Sequence, residues 1–265
     1  MSLFANLTTE GHEEKEDRIG GFAVFNTNIY PVKILKAYMG KSDGGAMSIT
    51  VVADMDGREF TSTQWVTNKK GENFFHPKDK NGKPNTSKRN SLPGFTIIDD
   101  LCLVTTGKPL AEQDTEEKVI RLYNREEQKE LPTPVVMLVD LIDTEAYFAV
   151  FKNIVSKNEK DDNGNYVPTA ETREENEIDK VFHNPSKVTV KEAEVAAEAG
   201  VQAQADFYTA WLDKNYNAED PGKARDRRAA EFKGGDGKAG AVRNGRPGQP
   251  PQAGDKGRTT AKMTF

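Results

Sequence analysis

The stretch from Met47 to Val66, MSITVVADMDGREFTSTQWV, constrains the fold more than any other segment. Met47, Ile49 and Val51 alternate on one side. A second extended run follows, with Phe60 and several threonines. Asp56-Gly57 stands between the two, and this dipeptide suits a tight turn whose central residues need positive φ. The segment therefore reads as a β-hairpin. The run before it, FAVFNTNIYPVKILKAYMG, reads as another long extended segment. There Val32, Ile34 and Lys36 alternate in face with Lys33, Leu35 and Ala37. Pro31 predicts a bend or a sheet edge near that point, because proline cannot donate to a ladder.

Directly after the hairpin, residues 65–95 read WVTNKKGENFFHPKDKNGKPNTSKRNSLPGF. Lys69, Lys70, Lys78, Lys80, Lys83, Lys88 and Arg89 stand among Trp65, Phe74, Phe75, His76 and Phe95. No helix or strand period is visible between Val66 and Leu92, so a long basic loop over 68–94 is expected. Loops of that length in a compact domain are usually functional. Cations neutralise phosphates and flat rings stack on unpaired bases, which is what a single-stranded nucleic acid requires of a site. The plain alternative is a solvated charged loop with one or two rings folded back. Trp65 alternates within its strand and suits a core place as well as a base-stacking one. Phe74 and Phe75 are harder to bury together in a strand.

Phe95 to Val104 has helical spacing of Ile97, Ile98, Leu101, Cys102 and Val104, with Thr96 as the expected cap and Asp99 and Asp100 as first-turn charges. KVIRLYN, VVMLVDLI and AYFAVFKNIV read as three further strands, with Pro132 and Pro134 at a strand boundary. The stretch from Asp161 to His183 is expected to begin as a turn and continue as an acidic helix, since Thr172 and Glu175 have capping-box spacing. A single helix is expected over about 191–217 with Phe207, Tyr208 and Trp211 on its apolar side. The fold class expected is mainly β with added helices: an oligonucleotide-binding-like (OB-like) Greek-key barrel, with a helix after the third strand, C-terminal helices and a tail. A β-sandwich would show similar strand spacing. The expected divisions are a polar leader at 1–21, the OB-like domain at 22–185, a C-terminal helix at 186–220 and a disordered basic tail at 221–265.

Charge is distributed unevenly. The net charge is −5, yet residues 221–265 carry eleven Lys and Arg against four Asp and Glu, a surplus of seven positive charges. The preceding 220 residues therefore carry −12. Distribution, not the overall balance, governs which partners are attracted. No apolar run reaches membrane-spanning length, and the first residues lack the pattern of a signal peptide. One cysteine, Cys102, precludes an internal disulfide and fits a cytoplasmic protein.

Catalytic and metal motifs fail on spacing. Gly40-Lys41-Ser42 resembles the end of a phosphate-binding loop, but Leu35 stands where that motif needs its first glycine. His12, His76 and His183 are far apart, and no ligand pair has zinc-site spacing. Cys102 reads as a small core residue. No catalytic residue, metal or cofactor is expected.

The order of segments NKKGENFF, LPGFTIIDDLCLVTTGKPL, TEEKV and PTAETREENEIDKVFH resembles the single-stranded-DNA-binding proteins of lytic tailed phages, of the podophage type. The resemblance covers roughly residues 1–185. It implies an oligonucleotide-binding barrel that coats single strands cooperatively, without sequence preference, in phage replication and recombination within the host cytoplasm. In at least one podophage branch such a protein also activates the host RNA polymerase at late promoters through its C-terminal end. Many single-strand binders end in an acidic tip with a final Phe. This chain ends in Phe265, but Lys256, Arg258 and Lys262 precede it and only Asp255 is acidic. Such a tail cannot mimic DNA. It fits phosphate contacts or docking to an acidic partner such as RNA polymerase or a replication protein. The contrasting expectation is an adaptor or transcription co-activator whose DNA binding is incidental. It would need only the tail, whereas a DNA coater would need the loop.

Overall fold

The computed structural model describes residues 24–124, 127–161 and 165–232. In chain order the elements are β1 (Asn28–Lys41), β2 (Met47–Met55), β3 (Arg58–Trp65), β4 (Phe74–Phe75), β5 (Asn90–Ser91) and α1 (Pro93–Thr106). They continue with β6 (Thr115–Asn124), β7 (Lys129–Leu138), β8 (Glu145–Lys160), β9 (Tyr166–His183), α2 (Val190–Ala199), α3 (Asp206–Asn215) and β10 (Arg225–Asp226). Among the described residues the protein is mainly β, with three α-helices. Eight strands form one sheet with the path β10-β8-β1-β2-β3, while β9 pairs with β8, β7 with β1, and β6 with β7. Every pairing in it is antiparallel except the short β10–β8 contact.

The expected hairpin is β2–β3, in unbroken register from Met55–Arg58 to Ser48–Trp65. Asp56 and Gly57 both have positive φ, 56° and 73°, as its turn requires. β1 is long because two partners share it. Its first half pairs with β8 from Asn28 to Lys33 and its far end meets β7 at Tyr38. The register against β2 shifts between Ile34 and Lys36, so Leu35 is an extra residue. This bulge swaps the faces. Ile34 and Ala37 are both fully buried, while Leu35 and Lys36 are exposed. The regular alternation expected through Lys36 and Ala37 is therefore corrected at Leu35. Pro31 lies one residue before pairing with β2 begins, which spares the ladder on that side.

Helix α1 begins at Pro93, earlier than expected. Leu92 is its N-cap and makes no side-chain cap; Thr96 is already helical and its hydroxyl donates to the Leu92 carbonyl at 3.3 Å. Proline at the first helical position needs no N–H partner and supplies the starting φ. Gly107 ends the helix in the left-handed region, at φ 71°, where its N–H bonds to Leu103. Asp99 and Asp100 are not exposed first-turn charges. Both are buried: Asp99 accepts from the Leu110 amide at 2.9 Å and Asp100 pairs with Lys180 of β9 at 2.8 Å.

The main core lies between α1 and the sheet. It joins Ile34, Val51, Met55, Ile98, Leu101, Cys102, Phe148 and Val181. A smaller core on the other face of β8 and β9 joins Ile29, Ala149, Phe151, Phe182 and Trp211. Burial on both faces explains why β8 begins as the apolar run AYFAVF rather than as an alternation.

Three further expectations are corrected. The acidic helix expected after Asp161 is strand β9, paired with β8 from Lys160–Tyr166 to Ala146–His183. Long-range pairing outweighs local helix preference there, and the Thr172–Glu175 spacing caps nothing. The true capping box is Thr189–Glu192 at the start of α2. The single helix expected over 191–217 is two, broken at Gly200, whose φ is 66°. Pro132 and Pro134 do not bound a strand but lie inside β7, opposite Arg121 and Val119.

The expected tail boundary at 221 also moves. β10 pairs with β8, and the Arg225 guanidinium lies 3.2 Å from the Phe151 ring centroid while bonding Asn153 and Glu177. No described helix is long and apolar enough to cross a membrane.

Candidate nucleic-acid interface

The basic segment is a folded arm, not the irregular loop expected. Its base is fixed where β3 ends: the Val66 and Thr67 amides bond to the Met47 carbonyl, and the Thr67 hydroxyl accepts from the Met47 amide at 2.9 Å. Asn68 then organises a tight turn. Its side-chain oxygen accepts from the Lys70 and Glu72 amides, and its amide group donates to Glu72 Oε2. Gly71, at φ 80°, completes the turn. Lys69 and Lys70 are thereby held outward.

β4 and β5 follow as a two-stranded ladder, Phe74 opposite Ser91 and Phe75 opposite Asn90. Beyond it, His76 Nδ1 donates to the Lys88 carbonyl at 2.7 Å, and Lys78 bridges to Pro84. At the tip Asp79 Oδ1 accepts from the Asn81 and Lys83 amides, with Gly82 at φ 78°. Asn85 repeats the device by accepting from Ser87. Asn and Asp side chains bonding to nearby amides explain how a segment without apolar periodicity acquires a shape. No periodic signal announces this, because the order comes from turn chemistry.

The expected site residues divide into groups. Lys69, Lys70, Lys78, Lys80, Lys83, Lys88 and Arg89 are all exposed, and among the described residues none makes an ion pair. The arm's two carboxylates, Glu72 and Asp79, are occupied by hydrogen bonds within it. Neighbours in a strand face opposite sides, so Phe74 and Phe75 diverge. Phe74 is half-buried, with the Arg89 guanidinium 4.5 Å from its centroid and His76 edge-on at 5.6 Å. Phe75 is 43% exposed. Trp65 is 49% exposed at the end of β3, which removes it from the core. The other tryptophan, Trp211, is buried and donates to Asp179. The tail residues Lys256, Arg258, Lys262 and Phe265, like His12 and the leader, lie outside the described residues.

Two features at the arm's base were not legible in the sequence. Lys41, at the end of β1, stands beside Met47, which anchors the arm. Lys69 lies against the turn that follows Lys41, within 3.1 Å of where a Cβ on Gly44 would sit. An apolar groove of about 250 Å3 opens at the same end, lined by Met39, Met47, Val66, Phe95, Leu110 and Leu138. These residues come from distant segments, so only folding assembles them. At the other end of the β2–β3 hairpin, a cleft near the Asp56 turn carries Asp54, Asp56 and Glu145 with Lys33. The fold thus separates a basic end from an acidic one.

Elsewhere, burial pushes the Cys102 thiol far above its ordinary value, so the thiol stays protonated at neutral pH. Among the described residues no three His, Cys, Asp or Glu side chains cluster to hold a metal ion. No family model, curated protein or solved structure matches the chain.

Proposed function

We propose that the protein binds single-stranded DNA without sequence preference through the 68–91 arm, with Trp65 and Lys41 at its base. One observation carries this reading: seven exposed cations on an ordered arm, none in an ion pair among the described residues, share it with the solvent-facing ring of Phe75. Exposed phosphate-sized charges supply affinity, and exposed rings select unpaired bases. Phe75 and Trp65 are the stacking residues, Phe74 supports Arg89, and His76 braces the ladder.

The OB-barrel reading belongs with this proposal. A long β1 shared between β2 and two later strands, and a helix that follows the third strand of the main sheet and packs across β3 and β9, suit such a barrel. Coating of single strands in phage replication and recombination rests on the resemblance in residues 1–185.

Titration with oligo-dT and a matched duplex at several salt concentrations tests the reading. Trp65 is the exposed tryptophan, so stacking should quench its fluorescence. If about five cations engage, log affinity falls against log salt with a slope near −3.5. Absence of single-strand binding at low salt refutes the proposal.

A further inference from the structure

β6 and β7 form a ribbon of ten paired positions without a bulge. β7 pairs with the rest of the sheet at one position, Met137 with Tyr38, so along most of the ribbon neither outer edge is paired to another strand among the described residues. The edges are treated differently. Pro132 and Pro134 lie on β7. Proline has no N–H, so its pairs with Arg121 and Val119 are the non-hydrogen-bonded kind, and its ring blunts the far edge of β7. It follows that Val119 and Arg121 aim their own N–H and C=O groups away from β7. By the two-residue period, so do Thr115, Glu117 and Tyr123.

The outer edge of β6 has no such protection. It contains no proline, and among the described residues no other strand pairs with it. The same alternating residues share one face, where Val119 is 68% and Tyr123 63% exposed. Neither Glu117 nor Arg121 has an ion pair or side-chain hydrogen bond among the described residues. The order Glu117, Val119, Arg121 is a charge palindrome when read against a reversed copy of itself.

We propose that the β6 edge is a self-association surface. It pairs antiparallel with β6 of a second copy about a two-fold axis at Val119. In that register Val119 faces its counterpart, and each Glu117 faces Arg121 of the other copy. The facing residues are those whose backbone groups point outward, so the ladder and the charges agree. A parallel in-register pairing would oppose like charges, Glu117 to Glu117 and Arg121 to Arg121. The charge pattern therefore selects a second copy, in one orientation. The result is a four-stranded ribbon ending at the two proline-blunted β7 edges, which closes the assembly as a dimer. This inference does not depend on nucleic-acid binding.

Sedimentation of the full chain without nucleic acid is the test. The wild type should show a concentration-dependent dimer. E117R and R121E should each raise the dimer dissociation constant roughly tenfold or more, because both facing pairs become like-charged. An equimolar mixture of the two variants, and the double swap E117R/R121E, should recover the dimer. Recovery cannot come from a chain that merely fails to fold. A wild type monomeric up to about 100 µM, or association unchanged in both single variants, overturns the proposal. So does a monomer whose β6 amides resist hydrogen exchange, since another segment of the chain would then cover the edge.

Discussion

Gly94, in the first turn of α1, presses against the backbone of Trp65: a Cβ on Gly94 would collide with the Trp65 carbonyl oxygen and stand 2.8 Å from its amide nitrogen. The obstacle is backbone, which cannot swing aside. The contact joins the end of β3 to the start of α1, the two elements between which the arm is strung. Gly94→Ala should cost about 1–3 kcal/mol, as overpacking does. It should also weaken single-strand binding by displacing Trp65. Urea unfolding and the oligo-dT titration report the two effects separately.

Asp100 carries its carboxylate inside the main core, with its side chain 1% exposed, and Lys180 reaches it from β9. Removing the lysine takes away the counter-charge of a carboxylate in a low-dielectric place. Lys180→Met should destabilise the protein by about 3 kcal/mol, and the further change Asp100→Asn should recover part of the loss. Denaturant midpoints of the two variants check this.

His183 titrates below the ordinary histidine value because burial penalises its cation. The folded state then binds fewer protons than the unfolded chain. Its contribution to stability is fully present above the unfolded pKa near 6.5 and is lost as pH falls from there through the lowered folded value. Melting temperature should drop between about pH 7.5 and pH 5, and His183→Gln should flatten that slope. The lowered carboxylates Asp140 and Glu171 act in the same direction but in a more acidic window.

Phe75 and Phe74 should behave differently despite being neighbours. Phe75→Ala removes an exposed ring and should weaken single-strand affinity by about 1–3 kcal/mol with little change in melting temperature. Phe74→Ala removes the platform under Arg89 and should also loosen the arm. Proteolysis of the arm and binding measurements on both variants distinguish these outcomes.

Arg225 ties the chain after α3 to β8 and β9 through Phe151, Asn153 and Glu177. A chain ending at 232 retains every one of these contacts. A chain ending at 220 should lose about 1–3 kcal/mol, since it forfeits the charge-assisted bonds from Arg225 to Glu177 and Asn153 and the stacking on Phe151. Thermal unfolding of the two truncations gives the difference.

The hairpin, α1 and the position of the basic segment were legible because each has a local cause. Asp56-Gly57 encodes its turn, the spacing of Ile97, Ile98, Leu101, Cys102 and Val104 marks a helix, and seven cations identify themselves. The corrections have non-local causes. Nothing around Leu35 announces a bulge, which arises where β1 leaves β8 and bonds with the 143–144 turn. The charged run from Glu171 to Lys180 has no strand alternation of its own, and becomes β9 because β8 lies beside it.

By itself, then, the sequence determined the local grammar: turn residues, the helical spacing of α1, apolar runs and the concentration of positive charge. These depend on dihedral preference and composition, which act over a few residues. Tertiary structure decided which face each ring takes, that Trp65 looks outward and Trp211 inward, and that Asp100 is buried beside a lysine 80 residues away. It also decided that the prolines of β7 face away from β6 and that no other described strand pairs with the outer edge of β6. Such outcomes depend on which distant backbone supplies the partner, and only the folded chain brings that backbone into place.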